Sequence, residues 1–293
     1  MRCTVTDQQT VFHIVIIPYY SQQEIDRYLK IAVRLKAYST QNCAYQFLLA
    51  SSPRIQPSQQ LHDAYAAIAP VTTLRCPTRL IGYPIGPTAM FWDCMDHIAS
   101  TFEPDGGFSL WFESDMIPVK KDWLDRLSAQ WCSGDEPPRI MGCFVSAILS
   151  ASRRIVVDEH INGGACYAKD FAHLPLDARS SSCFDCGLYE CVHRLGGVLP
   201  TRQIAFSTMA RLEQDIGDPE VTVLHGYTDD KDAFINRCLA MEAADSPGGL
   251  RHDQYWRAAR NTYRRLRLRL PMKSKRLVLE SILLERDLRR PAA

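Results

Sequence analysis

The sequence predicts an α/β protein built on an open, largely parallel sheet with helices on both faces. Three observations carry this. Four nearly unbroken apolar runs, Phe12–Ile17, Tyr45–Ala50, Val71–Leu74 and Phe108–Phe112, fall within the first 115 residues, as strands buried on both faces require. Segments with apolar residues at helical spacing alternate with these runs. Each run also ends abruptly in polar or turn-forming residues.

Taken in order, Phe12–Ile17 is stopped by Pro18-Tyr19-Tyr20, and Ser21-x-x-Glu24 reads as a capping box. Ile25, Leu29, Ala32 and Leu35 then line one face of a first helix. The Tyr45–Ala50 run leads into Ser51-Ser52. Leu61, Tyr65 and Ile68 mark a second helix, Val71–Leu74 a third strand, Phe91, Cys94, Met95 and Ile98 a third helix, and Phe108–Phe112 a fourth strand. The order β-α-β-α-β-α-β yields parallel strands joined by crossover helices. Ligands of such sheets bind beyond the carboxyl ends of the strands. Pro18-Tyr19-Tyr20, Ala50-Ser51-Ser52 and Glu113-Ser114-Asp115 all sit at such ends and should converge in space.

The second half is less regular. Trp123, Leu124, Leu127 and Trp131 form a helix, and Ile140–Val145 a strand. Asp185–Leu195 is a helix closed by Gly196-Gly197. Val221–Leu224 is a strand running into His225-Gly226, and Asp229–Met241 a helix. Ser246-Pro247-Gly248-Gly249 reads as a linker. A main domain of residues 1–245 is therefore expected, followed by a helical tail, 246–293.

Composition sets the class. Of 293 residues 46% are hydrophobic and 23% charged, ordinary for a folded soluble protein. No run approaches the roughly 20 apolar residues that cross a bilayer. Met1–Gln9 is polar with no signal-peptide pattern, so a cytoplasmic protein is expected. The eleven cysteines form no framework and suit reduced thiols. Cys183-x-x-Cys186, near Cys191 and His193, has zinc-ligand spacing, but with no second Cys-x-x-Cys the expectation is of core thiols on a helix. The net charge of +1 conceals an asymmetry: residues 251–293 carry 13 Lys/Arg against 4 Asp/Glu, +9, leaving −8 on the rest. The acidic body argues against a nucleic-acid partner. In the tail Arg264, Arg265, Arg267 and Arg269 interleave with leucines. That pattern suits an anionic membrane surface, and equally packing on the domain or a dimer contact.

Glu113-Ser114-Asp115 carries the chemistry. Two carboxylates leave a buried apolar strand where desolvated charge needs a partner. Hard oxygen ligands suit Mg²⁺ or Mn²⁺, which bind through one or two carboxylates plus substrate phosphates. Capping of the following helix is the structural alternative.

LWFESDMIPVKKDWLDRL resembles the Asp-x-Asp segment of GT-A-type glycosyltransferases, with Glu113 in the first acidic place. VIIPYY resembles the first strand and nucleotide-binding turn of that fold. HINGGACYAKDF resembles its Gly-rich pocket strand, FDCGLYECVHRLGG the acidic helix that follows, and VLHG the late metal-binding histidine. The resemblance runs in order over about residues 11–240. It implies a GT-A Rossmann-like open mixed sheet, with residues 10–115 as the nucleotide-binding half and 116–245 as the acceptor half. It implies a hexosyltransferase moving a sugar from a nucleotide-sugar to a hydroxyl of a bacterial surface glycan or glycolipid, which a tail peripheral on the membrane would suit.

On that resemblance Asp115 is the direct metal ligand. Glu113 binds through water or holds the ribose, and His225 completes the site, a hydrogen-bonded strand-end histidine being the alternative. Asp185, at a helix start, is the base for an inverting transfer, or an acid favoured there by the helix dipole. Pro18, Tyr19, Tyr20, Ser51, Gly86 and Ser114 are expected against the donor, with Tyr83-Pro84-Ile85-Gly86-Pro87 as a loop before the third helix. Asn162, Gly163 and Gly164 let backbone approach the sugar or acceptor, or make a hairpin turn. Ala50-Ser51-Ser52 stands where many members place an acid for the base or ribose. Two other readings stay open: a nucleotidyltransferase acting on sugar phosphates, whose Gly-rich basic loop Pro18–Gln23 lacks, and a non-catalytic nucleotide-sugar-binding protein.

Overall fold

The structure, a computed structural model, describes residues 11–39, 41–80, 82–145, 148–149, 155–157, 159–173, 179 and 183–241. The expected linker and basic tail, with their membrane and packing readings, lie outside the described residues.

The first half alternates strands and helices: β1 (Phe12–Tyr19), α1 (Gln22–Ala37), β2 (Ala44–Ser51), α2 (Gln59–Ala66), β3 (Val71–Arg75), α3 (Ile85–Thr101) and β4 (Phe108–Trp111). The second half contains β5 (Met116–Pro118), α4 (Trp123–Trp131), β6 (Ile140–Val145), β7 (Ile148–Leu149), β8 (Ile155–Val157), β9 (His160–Ala168), α5 (Phe184–Leu195), β10 (Val198–Pro200), β11 (Ile204–Ser207), α6 (Leu212–Gly217), β12 (Val223–Gly226) and α7 (Lys231–Ala240).

Seven strands form the main sheet in the order β10-β6-β9-β4-β1-β2-β3. β3, β2, β1 and β4 are mutually parallel. Alternate residues of β1 enter two cores: Val15, Ile17 and Tyr19 pack with α1 and α2, while Ile14 and Ile16 pack with α3 and α5. Burial on both faces is why the run has no polar alternation. The polar member, His13, is fully buried. Its Nδ1 accepts from the Phe108 N–H at 3.3 Å and its Nε2 lies 2.8 Å from Ser128 Oγ. Burial lowers it to about 4, so it is neutral.

Six of the seven strands run the same way, as the sequence predicts, and β9 alone runs antiparallel, to β4 and to β6. The sheet is mixed. Because β9 runs opposite to β4, its first residues lie at the edge where β4 ends. A second sheet, β11-β12-β5, pairs β12 antiparallel to β5 directly after the acidic triplet. Among the described residues no helix is long and apolar enough to cross a membrane.

The expected loop Tyr83–Pro87 is also corrected. α3 begins at Ile85, and Gly86 and Pro87 sit in its first turn. Proline is tolerated there because the first-turn N–H groups have no helical partner.

Candidate active site at the carboxyl edge of the sheet

The strand ends that the sequence places together are laced by backbone bonds. The Ser52 N–H donates to the Tyr19 carbonyl at 2.9 Å, the Cys76 N–H to Ser51 at 3.0 Å, and the Phe112 N–H to Ile16 at 3.0 Å. Glu113, Ser114 and Asp115 follow β4 in a tight turn closed by the Met116 N–H on the Glu113 carbonyl, 2.9 Å. β5 then carries the chain to β12, where Met116 pairs with His225 and the Gly226 N–H donates to the Asp115 carbonyl at 3.1 Å.

This pairing brings together Glu113, Asp115 and His225. Their ligand atoms all lie within 4.8 Å of one another. His225 Nε2 stands 3.4 Å from Glu113 Oε2 and 3.4 Å from Asp115 Oδ1. Asp115 is 1% and His225 4% exposed. Buried polar atoms are nearly always satisfied, yet Asp115 Oδ1 and His225 Nδ1 are buried without a hydrogen-bond partner. A carboxylate pair and an imidazole with an unsatisfied inward oxygen fit a divalent cation of the Mn²⁺ or Mg²⁺ class.

A residue missed in the sequence completes the cluster. Lys231 Nζ lies 2.8 Å from Asp115 Oδ2. Its helix, α7, is held on α1 through Asp232, which binds Arg27 at 2.9 Å and Gln23 at 3.0 Å. Burial would raise the Asp115 carboxyl, but the charges of His225 and Lys231 outweigh it and hold the group well below the usual range. Burial would lower His225, but Asp115 and Glu113 push it up to about 10. The two carboxylates thus face positive charge on His225 and Lys231.

Two glycines of β9 make room for it. A Cβ on Gly163 would sit 3.0 Å from Glu113 Oε1 and 2.9 Å from the Phe184 ring; one on Gly164 would sit 2.6 Å from Met116 Sδ and 2.8 Å from His225 Nδ1. Both lie within a strand, so the hairpin-turn alternative is corrected. Asn162 Oδ1 accepts the Gly164 N–H at 3.1 Å, and the Gly163 carbonyl accepts the Tyr167 hydroxyl at 2.9 Å.

The remaining expected donor residues are distributed unevenly. Pro18 and Tyr19 end β1. The Tyr19 ring is in the core with its hydroxyl on the Ser58 N–H at 3.4 Å, which corrects the expectation that it lies against the donor. Tyr20 is half-buried and Ser51 buried, with Ser51 Oγ 3.4 Å from the Leu74 carbonyl. Ser114 is buried between the acids, and Gly86 is buried in α3.

Glu24 shows a related departure. Ser21 Oγ accepts the Glu24 N–H at 3.3 Å, as a capping box requires, but Glu24 Oε2 accepts from Tyr20 N–H at 2.6 Å. Burial raises Glu24 to about 7, against the pull of the Tyr20 N–H, Lys231 and Arg27. The folded chain holds this proton after the unfolded chain has lost it, so the group costs stability as pH rises from about 4.5 to 7 and no more above that. Glu24→Gln, which keeps the acceptor oxygen, is expected to be more stable than wild type by about 1–2 kcal/mol at pH 8, with the gap vanishing near pH 4. Urea denaturation at the two pH values checks this; an unchanged gap would contradict the assignment.

Asp185 opens α5. Its Oδ1 accepts from the Cys186 N–H at 2.9 Å and the Cys183 thiol at 2.8 Å, and its Oδ2 lies 3.9 Å from His160 Nε2. Cys183 precedes the helix and both thiols are half-buried, so the core-thiol expectation is corrected. The side chains of Cys191 and His193 lie outside the described residues.

No family model matches the sequence, and no curated protein matches it. Among solved structures the chain is similar to the galactosyltransferase LgtC at 10% identity, covering 84% of this chain and 99% of that one with a TM-score of 0.46. It is similar to 4-diphosphocytidyl-2C-methyl-D-erythritol synthase at 15%, 78% and 98%, TM-score 0.47. It is similar to residues 1–349 of S. aureus TarS at 11%, 82% and 67%, TM-score 0.43. These neighbours are GT-A glycosyltransferases and a nucleotidyltransferase. At such identities the likeness is one of fold, and no reaction passes from them to this chain.

Proposed function

We propose that the chain is a metal-dependent glycosyltransferase that moves a sugar from a nucleotide-sugar to a hydroxyl of a glycan or glycolipid. One observation carries the reading: Glu113, Asp115 and His225 bring their ligand atoms within 4.8 Å of one another, with a buried Asp115 oxygen lacking a hydrogen-bond partner, at the carboxyl edge of an α/β sheet. A divalent ion held there supplies positive charge to the leaving nucleoside diphosphate.

The chain's own residues do the rest. Asp115 and Glu113 offer carboxylate oxygens and His225 a ring nitrogen. Lys231, already beside Asp115, binds a phosphate oxygen as a point charge. Gly163 and Gly164 keep side chains out of the space beside the cluster, so backbone lies against the sugar. Pro18, Tyr20, Ser51, Ser114 and Gly86 line the donor side. Asp185 takes the proton of the acceptor hydroxyl on a carboxylate oxygen as the hydroxyl attacks.

Calorimetric titration of UDP, GDP, CDP and dTDP, with and without Mn²⁺, tests this. One nucleotide is expected to bind at least about tenfold more tightly with metal. Metal binding is expected to release protons, because His225 must be neutral to ligate. If none binds, or binding ignores the metal, the cluster is a structural ion pair and the proposal falls.

A further inference from the structure

A second group of ligand-type side chains lies outside the Glu113–Asp115–His225 cluster. His160, at the start of β9, and Asp185 and Cys186, in the first turn of α5, each bring a ligand atom within 4.8 Å of the others. Cys183 joins them through its thiol contact to Asp185 Oδ1 at 2.8 Å. Two cysteines, a histidine and a carboxylate make four donors, the number a tetrahedral zinc site uses. With bonds of about 2.0–2.3 Å, such a site spaces its donors by roughly 3.3–3.8 Å. The 3.9 Å between His160 Nε2 and Asp185 Oδ2 is already close to that spacing. Cys183 stands just before α5 and Cys186 in its first turn, the Cys-x-x-Cys spacing that recurs in zinc sites. The carboxylate is fixed by the Cys186 N–H at 2.9 Å, an outer-shell bond of the kind that orients metal ligands. Asp185 and both thiols are only partly buried, which leaves a path from solvent.

We propose that His160, Cys183, Asp185 and Cys186 form a second metal site, selective for a thiophilic cation of the Zn²⁺ class. The two clusters differ in chemistry. The Glu113–Asp115–His225 group has no sulfur and suits a hard cation, whereas paired thiolates select zinc over Mn²⁺ or Mg²⁺. Binding exchanges the two thiol protons for the metal with no change of oxidation state. The ion ties β9 to α5, the strand and helix that carry Gly163, Gly164 and Asp185. A carboxylate oxygen bound to zinc cannot take a proton from an acceptor, so Zn²⁺ switches off whatever acid–base part Asp185 plays. The binding itself stands whether or not the chain transfers sugar.

The test uses the full-length, reduced, metal-stripped protein and Co²⁺ as a spectroscopic probe. One equivalent is expected to give a thiolate-to-cobalt absorption in the near ultraviolet, with visible bands of tetrahedral intensity, and Zn²⁺ to abolish both. Cys186→Ser and Cys183→Ser should each weaken or remove the absorption. Asp115→Ala and Cys132→Ser, the latter at an exposed thiol, should leave it intact. Saturating Zn²⁺ should slow alkylation of Cys183 and Cys186 in the wild-type protein at least about tenfold, read by mass spectrometry. That measurement requires no variant to fold. Absence of the thiolate absorption in fully reduced protein, its survival in both serine variants, or its loss in Asp115→Ala would overturn the proposal. Failure of nucleotide binding would leave it standing.

Discussion

Asp115→Ala is expected to lower kcat/KM for the nucleotide-sugar by at least about 10³, equivalent to about 4 kcal/mol of transition-state stabilisation, and to abolish metal-dependent nucleotide binding. Asp115 is the most buried member of the cluster and faces both His225 and Lys231. Without it Lys231 and His225 lose the charge that holds them, and the proposed divalent ion would lose its central ligand. Asp115→Asn, nearly the same shape, removes the charge without leaving a cavity. It should therefore stay folded by circular dichroism while losing a comparable share of activity. Turnover within about tenfold of wild type in both folded variants would assign the carboxylate to structure alone.

Gly164→Ala is expected to cost about 2–3 kcal/mol of stability and to weaken metal-dependent nucleotide binding with it. The added methyl would meet Met116 Sδ at 2.6 Å and His225 Nδ1 at 2.8 Å, both closer than carbon atoms tolerate. Met116 can shift its thioether, but His225 is buried in the β12–β5 pair and moves only with its strand. Gly217→Ala is the control. Nothing lies within 4 Å of its added Cβ, so it should be neutral or slightly stabilising. Urea melts of the two variants, read against calorimetric Mn²⁺-nucleotide titrations, separate a packing defect from a displaced ligand. Equal stabilities would show that β9 does not press on the cluster.

The first four strands were legible because burial on both faces leaves no polar alternation, so Phe12–Ile17 and Phe108–Phe112 announce themselves. Their carboxyl ends follow from connectivity, which sets Glu113–Asp115 beside Pro18–Tyr20. The second half resisted because its logic is pairwise. Nothing local in His160–Ala168 says that it runs antiparallel between β4 and β6, and two glycines inside a strand read naturally as a turn. His225 was visible only through resemblance to a family pattern. Lys231 left no signal: it is one cation at the start of an ordinary helix, and the contacts of that helix to α1, through Asp232 and Arg34, aim it at Asp115. The grouping of His160 with Cys183 and Cys186 was hidden for the same reason, since its members meet through β9 and α5. Gly86 was misplaced because Pro87 suggests a loop, although the first helical turn accepts it.

The antiparallel pairing of β12 with β5 has a consequence for the order of assembly. Asp115 and His225 are 110 residues apart in the chain, and the cluster closes only when the last strand of the second sheet docks. Loops of that length make the late contacts of a slow nucleus. A nascent chain emerging from the ribosome would carry both carboxylates long before the imidazole that joins them. Chains cut ahead of β12 would have the parallel strands and the acids, yet no complete cation site. The proposed cation affinity would therefore report the completion of folding, since it requires β12 to be paired with β5.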